Sequence, residues 1–246
     1  MQKRRKLGLL TPSSNTIMEP RATEVVSGLD DVSVHFSRVE VTEISMHDGT
    51  LWHPGFEPQL KAADLLVQAR VDVIAWGGTS GGWVGVEADR ELCRQISERS
   101  GVPATTSTIA FLAALEAFGV KSFSLVTPYL SEIQSAIQMN FSRLGYSCLA
   151  ERHLNDKGNY SFSEYDEPTI ERMVREVAAA EPDAIVIYCT NFDGTRIAPI
   201  LERQLALPVF DSVSLTIWHS MCLAGVDPRR VRGWGELFTR TVPGSS

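Results

Sequence analysis

Cys189 directly follows the apolar run 184–188, and a thiol at the open end of a strand can act as an acid, a base or a nucleophile. The plainer reading is a small buried hydrophobe. Cys93, Cys148 and Cys222 fall inside helix-like or strand-like runs and read as packing. No two of the four cysteines form a CxxC pair, which argues against a disulfide framework or structural zinc. A second chemical feature is Gly77-Gly78-Thr79-Ser80-Gly81-Gly82, where small residues let backbone N–H groups close on an anion and hydroxyls add donors. It lacks the lysine of a GxxxxGK[ST] loop and the GxGxxG spacing, so a carboxylate is expected there rather than a nucleotide. The competing reading is a flexible turn without a ligand. Histidines 35, 47, 53, 153 and 219 show no HExxH spacing; His47-Asp48 with His53 makes at most a poor metal site, and His219 reads as a hydrogen-bonded structural residue. Thr79-Ser80-Gly81 is half of a nucleophile elbow, which demotes a serine hydrolase. No metal and no cofactor is expected.

Placing these groups requires strands that end at them. Short β-branched or Leu-rich runs at 7–10, 32–39, 73–76, 104–105, 123–126, 147–152, 184–188 and 209–210 alternate with helix-period segments. The helical segments are 57–69, 86–100, 109–118, 131–144, 167–180, 196–205 and 215–223. This is the pattern of βαβ units and predicts an α/β fold. Apolar residues crowd 109–118, which predicts a helix covered on two sides. Gly119 and Gly145 stop helices, the segment 155–165 reads as a polar loop, and 241–246 reads as a frayed end.

The chain also echoes itself. Leu9-Leu10-Thr11-Pro12 returns as Leu125-Val126-Thr127-Pro128, and Asp72-Val73-Ile74 with Gly78-Thr79 returns as Asp183-Ala184-Ile185 with Cys189-Thr190. Val102-Pro103 and Phe118-Gly119-Val120 return as Leu207-Pro208 and Ala224-Gly225-Val226. Two pseudo-symmetric halves, 1–120 and 121–246, are expected, each with a four-stranded mostly parallel sheet. Ligands of open α/β sheets bind outside the carboxyl ends of strands, which puts the site in the cleft between the halves, at 11–15, 78–80, 127–129 and 189–191.

Composition narrows the partners. Of 246 residues, 43% are hydrophobic and 22% charged, as in an ordinary globular protein. No apolar run approaches the ~20 residues of a spanning helix, and the charged residues 1–6 precede too short an apolar stretch for a signal peptide, so no membrane and a cytoplasmic location are expected. Lys+Arg 23 against Asp+Glu 30 gives a net charge of -7, which offers no overall field for nucleic acid.

These residues resemble the aspartate/glutamate racemase superfamily, in the branch of arylmalonate decarboxylase and maleate cis-trans isomerase, over nearly the whole chain. Thr11-Pro12-Ser13-Ser14-Asn15-Thr16 with Met18-Glu19 is similar to the carboxylate-binding motif of maleate isomerases, and Val126-Thr127-Pro128-Tyr129 to the motif that places a tyrosine in their site. Asn159, ahead of Asp166, is similar to a substrate-binding asparagine. Gly78-Thr79-Ser80, Thr106-Ser107-Thr108 and Gly233-Trp234-Gly235-Glu236-Leu237-Phe238 resemble arylmalonate decarboxylase. With the strand ends above, the resemblance implies Cys189 as the catalytic residue and Pro12, Ser13, Asn15, Gly78, Thr79, Ser80, Tyr129, Asn159 and Thr190 as substrate-binding residues.

Racemases and maleate isomerases of the superfamily carry two facing cysteines, and here the first of those positions is Gly78. One thiol suffices for a reaction that loses a leaving group and then takes one proton. The expected reaction is therefore cofactor-independent decarboxylation of a malonate-type acid, through an enediolate held by Thr79, Ser80 and Tyr129 and protonated by Cys189. Trp76, Trp83 and Val84 are candidates for the apolar surroundings of the departing carboxylate. The alternatives are an isomerase of a small unsaturated diacid, a racemase-like enzyme, and a non-catalytic protein that only binds an acid. A cysteine introduced at position 78 is expected to face Cys189. The expected partners are a small carboxylic or dicarboxylic acid and, in a homo-oligomer, further copies of the chain.

Overall fold

The computed structural model describes residues 4–41 and 56–242. Among them the strands are β1 (Arg5–Pro12), β2 (Val32–Val39), β3 (Val73–Trp76), β4 (Ala104–Thr106), β5 (Ser122–Thr127), β6 (Ser147–His153), β7 (Ala184–Ile187) and β8 (Val209–Asp211). They form two four-stranded sheets of one topology, β2-β1-β3-β4 and β6-β5-β7-β8, with every neighbouring pair parallel. The expected α/β class with two four-stranded parallel sheets is the observed one. Central strands read as unbroken apolar runs because both faces are covered; β7 is buried at all four positions, whereas the edge strand β6 alternates.

The repeated aspartates have a physical reason. Asp72, one residue ahead of β3, accepts the Lys6 N–H at 2.8 Å, and Asp183, one residue ahead of β7, accepts the N–H groups of Lys121 at 2.9 Å and Ser122 at 2.8 Å. Each carboxylate thus ties the start of a central strand to its neighbour. Leu10 pairs with Trp76 at the far end of one sheet and Val126 with Ile187 in the other, so equivalent residues leave the two sheets at equivalent points.

The helices are α1 (Met18–Val26), α2 (Glu57–Gln68), α3 (Gly81–Val84), α4 (Val86–Ser100), α5 (Ser107–Phe118), α6 (Ser131–Arg143), α7 (Glu167–Ala178), α8 (Ala198–Leu205) and α9 (Ser212–Leu223). The sequence signals miss α1 and α3. They also start α5 and α9 late, because those helices follow β4 and β8 without a loop: Thr106 and Asp211 cap them by accepting the N–H groups of Ile109 and Ser214 at 3.0 and 2.9 Å. Helix α5 is covered on two sides as expected. Its Phe111 packs on Phe123, Phe141 and Tyr188 of the other sheet's layer at centroid distances of 5.6, 5.2 and 5.7 Å. Helix α9 is buried from Ser212 through Met221, as a helix packed all round must be. The loop expected at 155–165 holds a 3₁₀ turn, Tyr160–Glu164, whose Phe162 is fully buried.

The Asp183 carboxylate is held below its ordinary value of 3.8, first by the Lys121 N–H and then by Ser122. A depressed carboxylate stabilises the fold above the unfolded-state value and loses that contribution as pH falls through the folded-state value. Asp183→Ala is expected to lower the unfolding free energy at pH 7 by about 1 kcal/mol, the scale of a solvent-exposed hydrogen-bonded cluster. Urea midpoints compared at pH 7 and at successively lower pH below 3.8 check it; a difference that does not shrink with acid contradicts the assignment.

Candidate active site

Just past the last ladder bond of the central strands, both sheets open into one cavity. Gly77 N–H closes on the Leu10 carbonyl at 2.8 Å and Tyr188 N–H on the Val126 carbonyl at 2.9 Å, so Gly78 and Cys189 are the first residues beyond the ladder. Pro12 and Asn15 reach the cavity from the end of β1, Trp76, Gly78, Thr79 and Ser80 from β3, Trp83 from α3, Tyr129 from β5, and Cys189, Thr190 and Asn191 from β7; Val41 and Asn159 also line it. The space open to the centre of a water-sized sphere is about 20 Å³, room for about one water.

Side-chain bonds cross between the two sheets' ends. Thr79 Oγ1 and the Tyr129 hydroxyl are 2.6 Å apart, and Cys189 lines the same cavity, its sulfur accepting the Asn191 N–H at 3.4 Å. Tyr129 is oriented by edge contacts with Trp83 and Phe162 at 5.2 and 5.5 Å. Asn15 caps α1, its Oδ1 accepting the N–H groups of Ile17 and Met18 at 3.0 and 2.9 Å, and its amide donates to Thr190 Oγ1 at 3.0 Å. Thr190 in turn donates to the Gly77 carbonyl at 2.6 Å. Asn191 accepts the Thr16 N–H at 2.9 Å and donates to the Asn159 carbonyl at 2.7 Å, while the Asn159 amide donates to the Val41 carbonyl at 3.2 Å. Outside the cavity, Arg21 and Asp193 form a bidentate pair at 2.5 to 2.9 Å.

The donors left over define the chemistry. The N–H groups of Gly78, Thr79 and Ser80 meet no protein acceptor among the described residues, and no Arg, Lys or His is among the described lining residues. An anion here is met by neutral dipoles, which are strong in a water-poor cavity. Burial pushes the Cys189 thiol up to about 12, against the Tyr129 hydroxyl and the N–H groups of Asn191 and Phe192, which favour the thiolate. The resting group is therefore a protonated thiol, with the Asn191 N–H 3.4 Å from its sulfur to favour the thiolate it leaves. Burial also raises Tyr129, keeping it a neutral donor.

Nine of the ten expected site residues line this cavity: Pro12, Asn15, Gly78, Thr79, Ser80, Tyr129, Asn159, Cys189 and Thr190. Ser13 is not among them; its hydroxyl lies 3.3 Å from the Val41 carbonyl and accepts the Val41 N–H at 3.0 Å. Trp76 and Trp83 line the cavity, whereas Val84 faces outward at 43% exposure. Val41 was not expected from the sequence, since an isolated valine ahead of a polar segment carries no signal. Asn191 lay inside the expected strand end without an assigned role.

The glycine-rich loop is not left-handed: none of its glycines has positive φ. A Cβ on Gly77 would strike the Met18 thioether, one on Gly82 would lie 2.7 Å from the Tyr188 hydroxyl, and one on Gly81 would meet the Asp89 carboxyl. Close approach, not turn geometry, requires these glycines. Position 78 holds no room for a facing side chain either, because its Cβ would lie 2.5 Å from Cζ2 of the Trp76 indole.

His219 is buried, 2.7 Å from Thr105 Oγ1 through Nδ1, and burial lowers it to about 4, so it is a neutral structural histidine as expected. The possible cluster of His47, Asp48 and His53 lies outside the described residues. Among the described residues no group of three or more His, Cys, Asp or Glu could hold a metal, and no helix is long and apolar enough to cross a membrane.

Comparison with known proteins places the chain. The family model of arylmalonate decarboxylase matches residues 7–238, and the chain belongs to this family, a branch of the aspartate/glutamate racemase-like superfamily. The arylmalonate decarboxylase of Bordetella bronchiseptica is 28% identical over 156 residues, covering 63% of this chain and 65% of that protein, just under two thirds of its length. The maleate isomerase of Geobacillus stearothermophilus is 20% identical over 231 residues, covering 89% of this chain and 91% of that one. A crystal structure of a maleate isomerase variant from Pseudomonas putida with maleate superposes with a TM-score of 0.89 at 20% identity, covering 96% of this chain and 98% of that one.

The state of the thiol can be measured directly. Thiolate absorbance near 240 nm, taken as the difference between wild type and Cys189→Ala, is expected to stay flat up to at least about pH 9 in the folded protein, well above the ordinary thiol value. A difference band titrating near neutral pH contradicts a protonated resting thiol.

Proposed function

We propose that the protein is a cofactor-independent carboxy-lyase acting on a substituted malonate-type diacid, with Cys189 as its single proton donor. The observation that carries this reading is the asymmetry of the two strand ends, which offer Cys189 from one sheet and Gly78 from the other into the same cavity. Racemisation needs an acid-base group on each face of a planar carbanion, and double-bond isomerisation by addition needs a thiolate nucleophile. A single thiol that rests protonated suits neither; it suits a reaction that ends in one proton transfer to carbon.

One substrate carboxylate lies against the N–H groups of Gly78, Thr79 and Ser80 and the Ser80 hydroxyl. The bond from the α-carbon to the other carboxylate breaks, CO2 leaves, and the electron pair passes into the bound carboxylate as an enediolate. Its developing charge is met by those same donors, which need no rearrangement as the charge grows. The Cys189 S–H proton then moves to the α-carbon, forming the monoacid. The thiolate left behind is met by the Asn191 N–H until solvent reprotonates it. With no cation among the described lining residues, the departing carboxylate gains no ion pair in the ground state that would have to be broken. Trp76 and Trp83 give it apolar walls.

A second reading, isomerisation of a small unsaturated diacid, is favoured by one observation. Asn15 and Asn159, which resemble maleate isomerase residues, both reach the cavity.

Incubation with a panel of mono- and disubstituted malonates and with maleate, scoring CO2 and fumarate, separates the two. The expected result is CO2 from at least one malonate and no fumarate; fumarate without CO2 overturns the carboxy-lyase reading. Cys189→Ala is expected to lower turnover at least about 10²-fold, the lower scale of a lost general acid, and Ser80→Ala to lower kcat by about 10²–10³, as for other oxyanion donors. Activity is expected to survive dialysis against a chelator; recovery only on adding a divalent metal contradicts the mechanism.

A further inference from the structure

Trp76 is the last residue of β3 and is 2% exposed, with its side chain on the cavity. A buried indole normally finds a partner for its N–H. Trp218 does so, donating to the Arg240 carbonyl at 2.8 Å. The Trp76 N–H has no acceptor among the described residues, and it is not among the nitrogens sealed off from solvent. The cavity is left as the place where its hydrogen bond is made.

The ring has a second role by position. Gly78 is the counterpart of Cys189, each being the first residue past the ladder. The two ends meet in one cavity, which Gly78, Thr79, Tyr129 and Cys189 all line, with the Tyr129 hydroxyl 2.6 Å from Thr79 Oγ1. A Cβ at Gly78 would lie 2.5 Å from the indole Cζ2 and closer still to Nε1 and Cε2. The indole and a side chain at 78 therefore compete for one volume, and the indole holds it.

We propose that Trp76 sets the specificity of the cavity: its N–H donates to an anionic oxygen of the bound acid, and its ring occupies the space in front of Gly78, so that a proton reaches the bound carbanion only from the side of Cys189. This rests on the cavity being a carboxylic-acid site. A wall there excludes both a second side-chain acid and water, so the monoacid forms as one enantiomer.

Three measurements test it. Calorimetric binding of phenylmalonate and of maleate is taken in the Cys189→Ala background, where nothing turns over. Trp76→Phe, which keeps an aromatic ring and loses the N–H, is expected to weaken whichever acid binds by about tenfold, the effect of one hydrogen bond to a charged group. In the turnover enzyme, Trp76→Leu on 2-methyl-2-phenylmalonate is expected to lower the enantiomeric excess of the product. In a double-mutant cycle of melting temperature, Gly78→Ala is expected to destabilise the wild type more than the Trp76→Leu protein, a readout that needs no substrate. Unchanged binding by Trp76→Phe overturns the donor role. Unchanged enantiomeric excess, or an equal Gly78→Ala penalty in both backgrounds, overturns the wall. If the parent with Trp76 intact binds neither acid, the acid-site reading itself fails and the proposal falls with it; if the parent binds and the variants behave like it, this proposal alone fails.

Discussion

The Tyr129 hydroxyl bonds Thr79 at the end of the other sheet, 2.6 Å away, in the cavity that Cys189 also lines and that has room for about one water. Much of the local structure serves that placement. Trp83 and Phe162 hold the phenol ring edge-on, and Phe162 is buried by the 3₁₀ turn of an otherwise polar segment. The Asn15–Thr190–Gly77 and Thr16–Asn191–Asn159 chains fix the two loops that Tyr129 spans. The Arg21–Asp193 pair ties the loop after Cys189 to α1 from the far side. A shift of one sheet against the other would break several buried polar contacts at once, and unsatisfied buried groups cost more than the bonds they replace are worth.

The same enclosure decides what the thiol can do. Desolvation outweighs the neighbouring donors and leaves Cys189 protonated at rest. The Asn191 N–H on the sulfur still lowers the cost of a thiolate, so in the proposed reaction the group would donate and recover. A solvent-exposed thiol beside a lysine or histidine would have the opposite balance, resting as a nucleophile. Among the described lining residues there is no Arg, Lys or His, so in the proposed decarboxylation neutral donors would stabilise an enediolate without pairing permanently with the carboxylate that leaves.

Much of the fold could be read from sequence because strand ends carry the repeated residues. Asp72 and Asp183 recur because each fastens two parallel strands, and Gly78 and Cys189 recur in place because each is the next residue past the same ladder bond. Short-range patterns failed where a tertiary contact set the structure. Helix α1 begins under an Asn15 cap, and its Met18 leaves no room for a side chain at Gly77; neither contact has a signature in a window of neighbouring residues. The glycine run read as an anion loop by composition, but its glycines at 77, 81 and 82 are explained by Met18, Asp89 and Tyr188 pressing on it. Ser13 belonged to a recognisable motif yet turns to the Val41 backbone, and Val41 reaches the cavity with no motif at all.

In the proposed reaction one protonated thiol delivers one proton to one face of a carbanion. Decarboxylation of 2-methyl-2-phenylmalonate in D2O, followed by mass spectrometry and chiral chromatography of the monoacid, tests it most directly. A single deuterium at the α-carbon, one enantiomer, and no further exchange when that enantiomer is returned to the enzyme are expected. A racemic product, or deuterium washing into the preformed enantiomer, would require a second proton donor and contradict the account.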